Sequence, residues 1–131
     1  MTASVSEADI SRLMAHFYAR VRADTLLGPI FLAAIGTSDA EWDAHLARIG
    51  DFWSSVILRS GRYHGDPYTK HARLDGLEPH MFAHWLALFR QSCAELFPAE
   101  TADLFIDRAE RIASSLRIGL FGRVGPHGVT E

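Results

Sequence analysis

The stretch from Ser38 to Ile57, SDAEWDAHLARIGDFWSSVI, decides the fold class. Trp42, Leu46, Ile49, Phe52, Trp53, Val56 and Ile57 recur at helical spacing, which stacks them on one face of an α-helix. Ser38 or Asp39 supplies the cap at its start. His45 lies one turn before Ile49 on the same face as Phe52. By spacing alone, a histidine on such a face is a core or boundary residue more often than a ligand.

Helical periodicity continues on both sides. Towards the N-terminus, Ser6 caps a helix whose inner stripe is Ile10, Leu13, Met14, Phe17, Tyr18 and Val21. Asp24 opens a shorter segment through Leu26, Leu27, Ile30, Phe31 and Ile35, with Gly28-Pro29 near its start and Gly36 at its end. Towards the C-terminus, RSGRYHGDPYTK from Arg59 to Lys70 has two glycines, a proline and no helical period, and long loops of this kind are often functional. Pro79 suits the first turn of a helix carrying Phe82, Trp85, Leu86, Leu88, Phe89, Leu96 and Phe97, which Pro98 stops. A last helix runs from about Ala99 to Leu120, with Ala102, Phe105, Ile106, Ala109, Ile112, Ala113 and Leu116 inward. Gly122, Gly125, Pro126 and Gly128 mark a tail expected to be flexible from about residue 122. No repeat, linker or period-two strand interrupts this pattern. The expectation is an all-α fold forming a single domain over residues 1–131.

Bulk composition agrees. The chain has 131 residues, 48% hydrophobic and 22% charged, which suits one globular core. Acids outnumber the thirteen scattered Lys and Arg, giving a formal charge of −3 and no electrostatic footprint for nucleic acid. The lone Cys93 cannot make an internal disulfide. No apolar run approaches the roughly 20 residues of a membrane span, and no basic n-region followed by an apolar stretch opens the chain, so a cytoplasmic protein is expected, with a monomer as the default state.

Several chemistries lack their residues. There is no GxxxxGK[ST] or GxGxxG, no HExxH and no cysteine pair. No histidine has an acid three residues before it, as a di-iron bundle requires. Cys-x-x-Cys-His is also missing, so any haem is held without thioether bonds. His80 and His84, four apart, read as a solvated helix face. His16, His64 and His127 read as surface residues. His71, in Tyr68-Thr69-Lys70-His71-Ala72, reads by itself as a solvent-facing or capping residue. Tyr18 and Trp85 read equally as core aromatics whose polar atoms need partners.

Together these residues resemble a known family. Phe17-Tyr18-Ala19-Arg20-Val21-Arg22-Ala23-Asp24 with Leu27-Gly28-Pro29-Ile30-Phe31 resembles the opening of the truncated haemoglobins. His45-Leu46-Ala47-Arg48-Ile49-Gly50-Asp51-Phe52-Trp53 resembles their distal helix. Tyr63-His64-Gly65-Asp66-Pro67 followed by His71 resembles the approach to the proximal histidine, and Trp85-Leu86-Ala87-Leu88-Phe89 resembles the helix behind the pocket. The four motifs fall in family order across roughly residues 6 to 120. His45, Trp85 and the absence of any Gly-Gly point to the third group.

The resemblance implies a globin-like two-over-two helical sandwich clamping a b-type haem. It makes His71 the proximal iron ligand. Tyr18, His45, Ile49 and Trp85 would line the distal side, while Phe31, Phe52 and Trp53 would contact the cofactor. Arg48 and Lys70 would lie near the haem propionates. O2, NO, CO, cyanide and peroxide are the implied ligands. Polar groups at the distal side slow ligand release, which argues against simple O2 transport and for redox or NO and reactive-oxygen detoxification. An NO dioxygenase-like or peroxidase-like reaction would need an external reductase. A gas-sensing module without turnover is the alternative, and a cofactor-free helical scaffold a third reading.

Overall fold

The computed structural model describes residues 5–65 and 76–121. These residues form five helices: α1 (Glu7–Ala23), α2 (Gly28–Ile35), α3 (Asp39–Leu58), α4 (His80–Leu96) and α5 (Ala99–Phe121). Among the described residues there is no strand. Helix α1 packs on α3, α4 packs on α5, and α1 also packs on α4, so two helix pairs lie against each other. The short α2 bridges α1 and α3. This is the expected all-α, two-over-two sandwich. The expected flexible tail lies outside the described residues. No helix among those described is long and apolar enough to cross a membrane.

Local chemistry sets the helix ends. Ser6 starts α1 with a capping box: its hydroxyl accepts from the Asp9 N–H, and the Asp9 carboxylate accepts from the Ser6 N–H. Ser38 and Glu41 repeat the device at α3. Asp24 plays a different part from the one expected. It ends α1, and its carboxylate accepts the N–H groups of Leu26 and Leu27, shaping a turn before α2 begins at Gly28. Pro79 sits just before α4, where a missing N–H costs nothing.

The core is aromatic. Phe89 lies between Trp53 and Trp85, stacked on both with centroids 5.4 and 5.1 Å apart. Phe17 meets Trp85 and Phe89 edge-on. Phe17, Phe89 and Phe105 are fully buried. Each offset or edge-to-face pair adds about 0.5–1.5 kcal/mol beyond area burial. The cluster therefore welds α1, α3, α4 and α5 behind a cavity.

Candidate functional site

A cavity of about 510 Å3 opens between the two helix pairs. Helix α1 contributes Tyr18, and α2 contributes Phe31, Ala34 and Ile35. The long wall is α3, through Glu41, Ala44, His45, Arg48, Ile49, Phe52 and Trp53. Opposite it stand Phe82 and Trp85 of α4 and Ile112, Ala113 and Leu116 of α5, with Tyr63 at one edge. Residues 45, 48, 49, 52 and 53 reach one wall because they share the face defined by steps of three and four.

The structure thus gathers Tyr18, His45, Trp85, Phe31, Arg48, Ile49, Phe52 and Trp53 around one space. Lys70 and His71 lie outside the described residues. Arg48 is exposed, as is Glu41, which puts both at the open side. Tyr63, Phe82, Leu116 and Glu41 are lining residues that the sequence reading did not single out. Phe82 and Leu116 stood on inner stripes, and a stripe cannot distinguish a core position from a cavity wall. Tyr63 stood in an aperiodic loop. Its backbone N–H donates to the Ser55 hydroxyl at 3.0 Å, and its ring meets Phe52 edge-on at 5.2 Å.

Polar chemistry is concentrated at one end. Tyr18 is only 5% exposed. Burial pushes its phenol well above the ordinary value, and a hydrogen bond donated by the Trp85 indole N–H partly offsets that rise. Tyr18 therefore stays protonated at any working pH and keeps an O–H to donate. The His45 ring stands nearly perpendicular to Tyr18, centroids 6.3 Å apart. The arrangement is an apolar, aromatic slot with a phenol, an indole N–H and an imidazole converging at one end. Its volume falls in the range of cofactor pockets, roughly 300–1,000 Å3. Apolar walls suit a flat, largely hydrophobic group, and the converging donors suit a small polar ligand beside it.

Three other described histidines are held elsewhere. His16 bonds Glu95 at 2.7 Å, and His84 bonds Asp24 at 2.9 Å. His80 stands 3.7 Å from Glu78. The expected solvated face of His80 and His84 is therefore correct for exposed His80, while half-buried His84 ties two helices together.

No family profile matches the chain. Over 124 residues, 95% of this chain and 97% of its relative, it is 40% identical to the "Group 3 truncated hemoglobin ctb" of Campylobacter jejuni. The crystal structure of group III truncated hemoglobin from Campylobacter jejuni superposes with a TM-score of 0.88 at 40% identity. That match covers 97% of this chain and 100% of the other.

Proposed function

Since the chain belongs to the group 3 truncated haemoglobins, we propose that its cavity holds a b-type haem and serves redox or NO and reactive-oxygen detoxification rather than O2 transport. Membership of a globin family implies haem and gaseous ligands; the finer reading rests on the pocket. Haem, when bound, supplies an iron with a position open to small ligands and capable of one-electron chemistry. His71 is the proposed protein ligand, since a neutral imidazole suits iron and a single protein ligand would leave the iron able to take a small molecule.

The other residues work around the cofactor. Phe31, Ile49, Phe52 and Trp53, which line the cavity, would hold its ring and exclude water. Arg48 and Lys70 would supply the cations for its propionates. Tyr18 would offer its O–H to a ligand carrying partial negative charge. The Trp85 N–H, which donates to the Tyr18 oxygen in this structure, would turn to the ligand as the second donor, and His45 stands beside them.

The observation that carries this reading is the buried Tyr18 paired with part-buried Trp85 beside His45, in a mostly aromatic and aliphatic lining whose charged residues Glu41 and Arg48 stand at the open side. Buried polar groups are costly unless partnered. A cavity that only needed filling would be better lined by hydrocarbon. A charge-assisted hydrogen bond to a ligand is worth about 1.5–3 kcal/mol, which suits retention during a reaction better than release by a carrier. NO oxidation and peroxidase-like turnover are the reactions proposed, with electrons from a separate reductase.

Reconstitution with haemin tests the cofactor. The wild-type protein is expected to give a strong Soret band, and His71→Ala to weaken or shift it. Failure of the wild type to take up haem sinks the reading. NO consumption with and without a reducing system then separates turnover from gas sensing. Consumption that never exceeds one equivalent under reducing conditions rejects the catalytic part.

A further inference from the structure

Trp42 does not line the cavity, yet it touches two residues that do. Its indole is 1% exposed and sits one turn before His45 on α3. The His45 ring meets Trp42 nearly perpendicularly, centroids 5.9 Å apart, and meets Tyr18 nearly perpendicularly as well, at 6.3 Å. The Tyr18 and Trp42 rings are 6.4 Å apart. Three rings from two helices thus form a closed triangle, with His45 at one corner in edge contact with both a phenol and an indole.

Trp42 is itself fastened from outside. Its Nε1–H donates to the Gly36 carbonyl at 2.9 Å, just beyond the end of α2. The Arg22 guanidinium covers its ring, 4.9 Å from the centroid, and also contacts the Asp39 carboxylate and the Thr37 carbonyl. A cation–π contact of this kind, made by a part-exposed arginine, adds modestly to the hold. The indole therefore has one hydrogen bond, one cationic cover and two ring neighbours, drawn from α1, α3 and the α2–α3 corner. Few rotamers satisfy all four.

We propose that Trp42 is a positioning residue for the polar end of the pocket, setting where the His45 ring rests against Tyr18. The proposal builds on the haem-pocket reading above. A leucine in its place would free the His45 ring on one side, because an aliphatic chain offers neither the ring edge nor the Gly36 bond. His45 would then sample positions towards the pocket mouth, and ligand entry would change. Tyr18 and Trp85 would keep their own contact, so Trp42 acts on entry more than on retention.

The test uses the haem-loaded protein in its diamagnetic CO form. Nuclear Overhauser contacts between the His45 and Tyr18 rings report the positioning directly, and CO association reports its consequence. Trp42→Leu is expected to lose those contacts and to change the CO association rate by about threefold or more, an effect that shrinks to near unity in a His45→Leu background. Trp42→Phe restores an aromatic face and is expected to keep the contacts and stay within about twofold of wild type. Where Trp42→Leu does not fold, Trp42→Met supplies similar bulk without a ring.

Intact His45–Tyr18 contacts in Trp42→Leu, or rate effects that multiply independently in the double variant, overturn the proposal. So does Trp42→Phe behaving as badly as Trp42→Leu. A wild-type protein that takes up no haem defeats the functional reading instead. The ring contacts of the chain as purified then decide the role of Trp42 by themselves.

Discussion

His84 Nε2 stands 2.9 Å from each carboxylate oxygen of Asp24, sixty residues earlier in the chain. The same carboxylate holds the N–H groups of Leu26 and Leu27. One side chain thereby ends α1, shapes the turn into α2 and anchors α4 beside Trp85. Burial alone would raise the Asp24 pKa. The Leu27 N–H, the His84 ring and the Leu26 N–H outweigh it and hold the carboxyl below its ordinary 3.8.

A carboxylate with a depressed folded-state pKa stabilises the fold above its unfolded value, and that contribution is lost as pH falls through the folded value. Asp24→Asn is therefore expected to cost about 1–2 kcal/mol at neutral pH, measured by urea unfolding. The gap between wild type and variant should narrow as the pH drops below 3.8. A gap that stays constant into that acid range would show that these bonds do not hold the carboxylate. His84→Ala should cost less, under about 1 kcal/mol, because the imidazole is half-exposed.

Gly36 makes the corner between α2 and α3, and its backbone has φ +119° and ψ −178°, a region essentially reserved for glycine. A Cβ here would fall on the Glu41 carboxylate that closes the Ser38 capping box. The Gly36 carbonyl also receives the Trp42 indole. Gly36→Ala is expected to lower stability by about 2–3 kcal/mol. Gly50 is the control. It lies within α3 with nothing within 4 Å of an added Cβ, so Gly50→Ala should stabilise by about 0.5–1 kcal/mol. Equal tolerance at both positions would refute the backbone argument.

The helices were legible because their apolar stripes have a period that neighbours cannot disguise. The Trp42–Ile57 stripe and the Ile10–Val21 stripe both appear as helices with the expected caps at Ser38 and Ser6. Much of the pocket lining was legible for a different reason. Tyr18, His45 and Trp85 are indistinguishable from core residues by spacing, and only the joint order of four motifs drew them together. What escaped was three-dimensional. Asp24 looks like a helix start, and its partner His84 is invisible until α4 folds back over the α1–α2 turn. Trp42 reads as one more apolar residue on a stripe, since nothing in the sequence says that its N–H reaches Gly36 while its ring meets His45. Tyr63 had no periodicity to place it.

Tyr18 offers the sharpest test of the polar end of the pocket. Its ring is anchored by Phe17 at 4.7 Å and Phe31 at 6.2 Å, so replacing it with Phe removes the hydroxyl and little packing. The variant should fold and take up haem as the wild type does. In the reading proposed above, the lost O–H is a hydrogen-bond donor to a ligand with partial negative charge. That bond, worth about 1.5–3 kcal/mol, corresponds to a rise of roughly tenfold to a hundredfold in the O2 dissociation rate of the haem-loaded protein. Association should change little, because the donor acts after the ligand has arrived. Burial keeps the phenol protonated above its ordinary value of 10.0, so the difference between wild type and Tyr18→Phe should not depend on pH between neutral and moderately alkaline conditions. Stopped-flow displacement of O2 by CO measures both quantities. A dissociation rate within about twofold of wild type would remove Tyr18 as a donor and leave Trp85 to account for ligand retention alone.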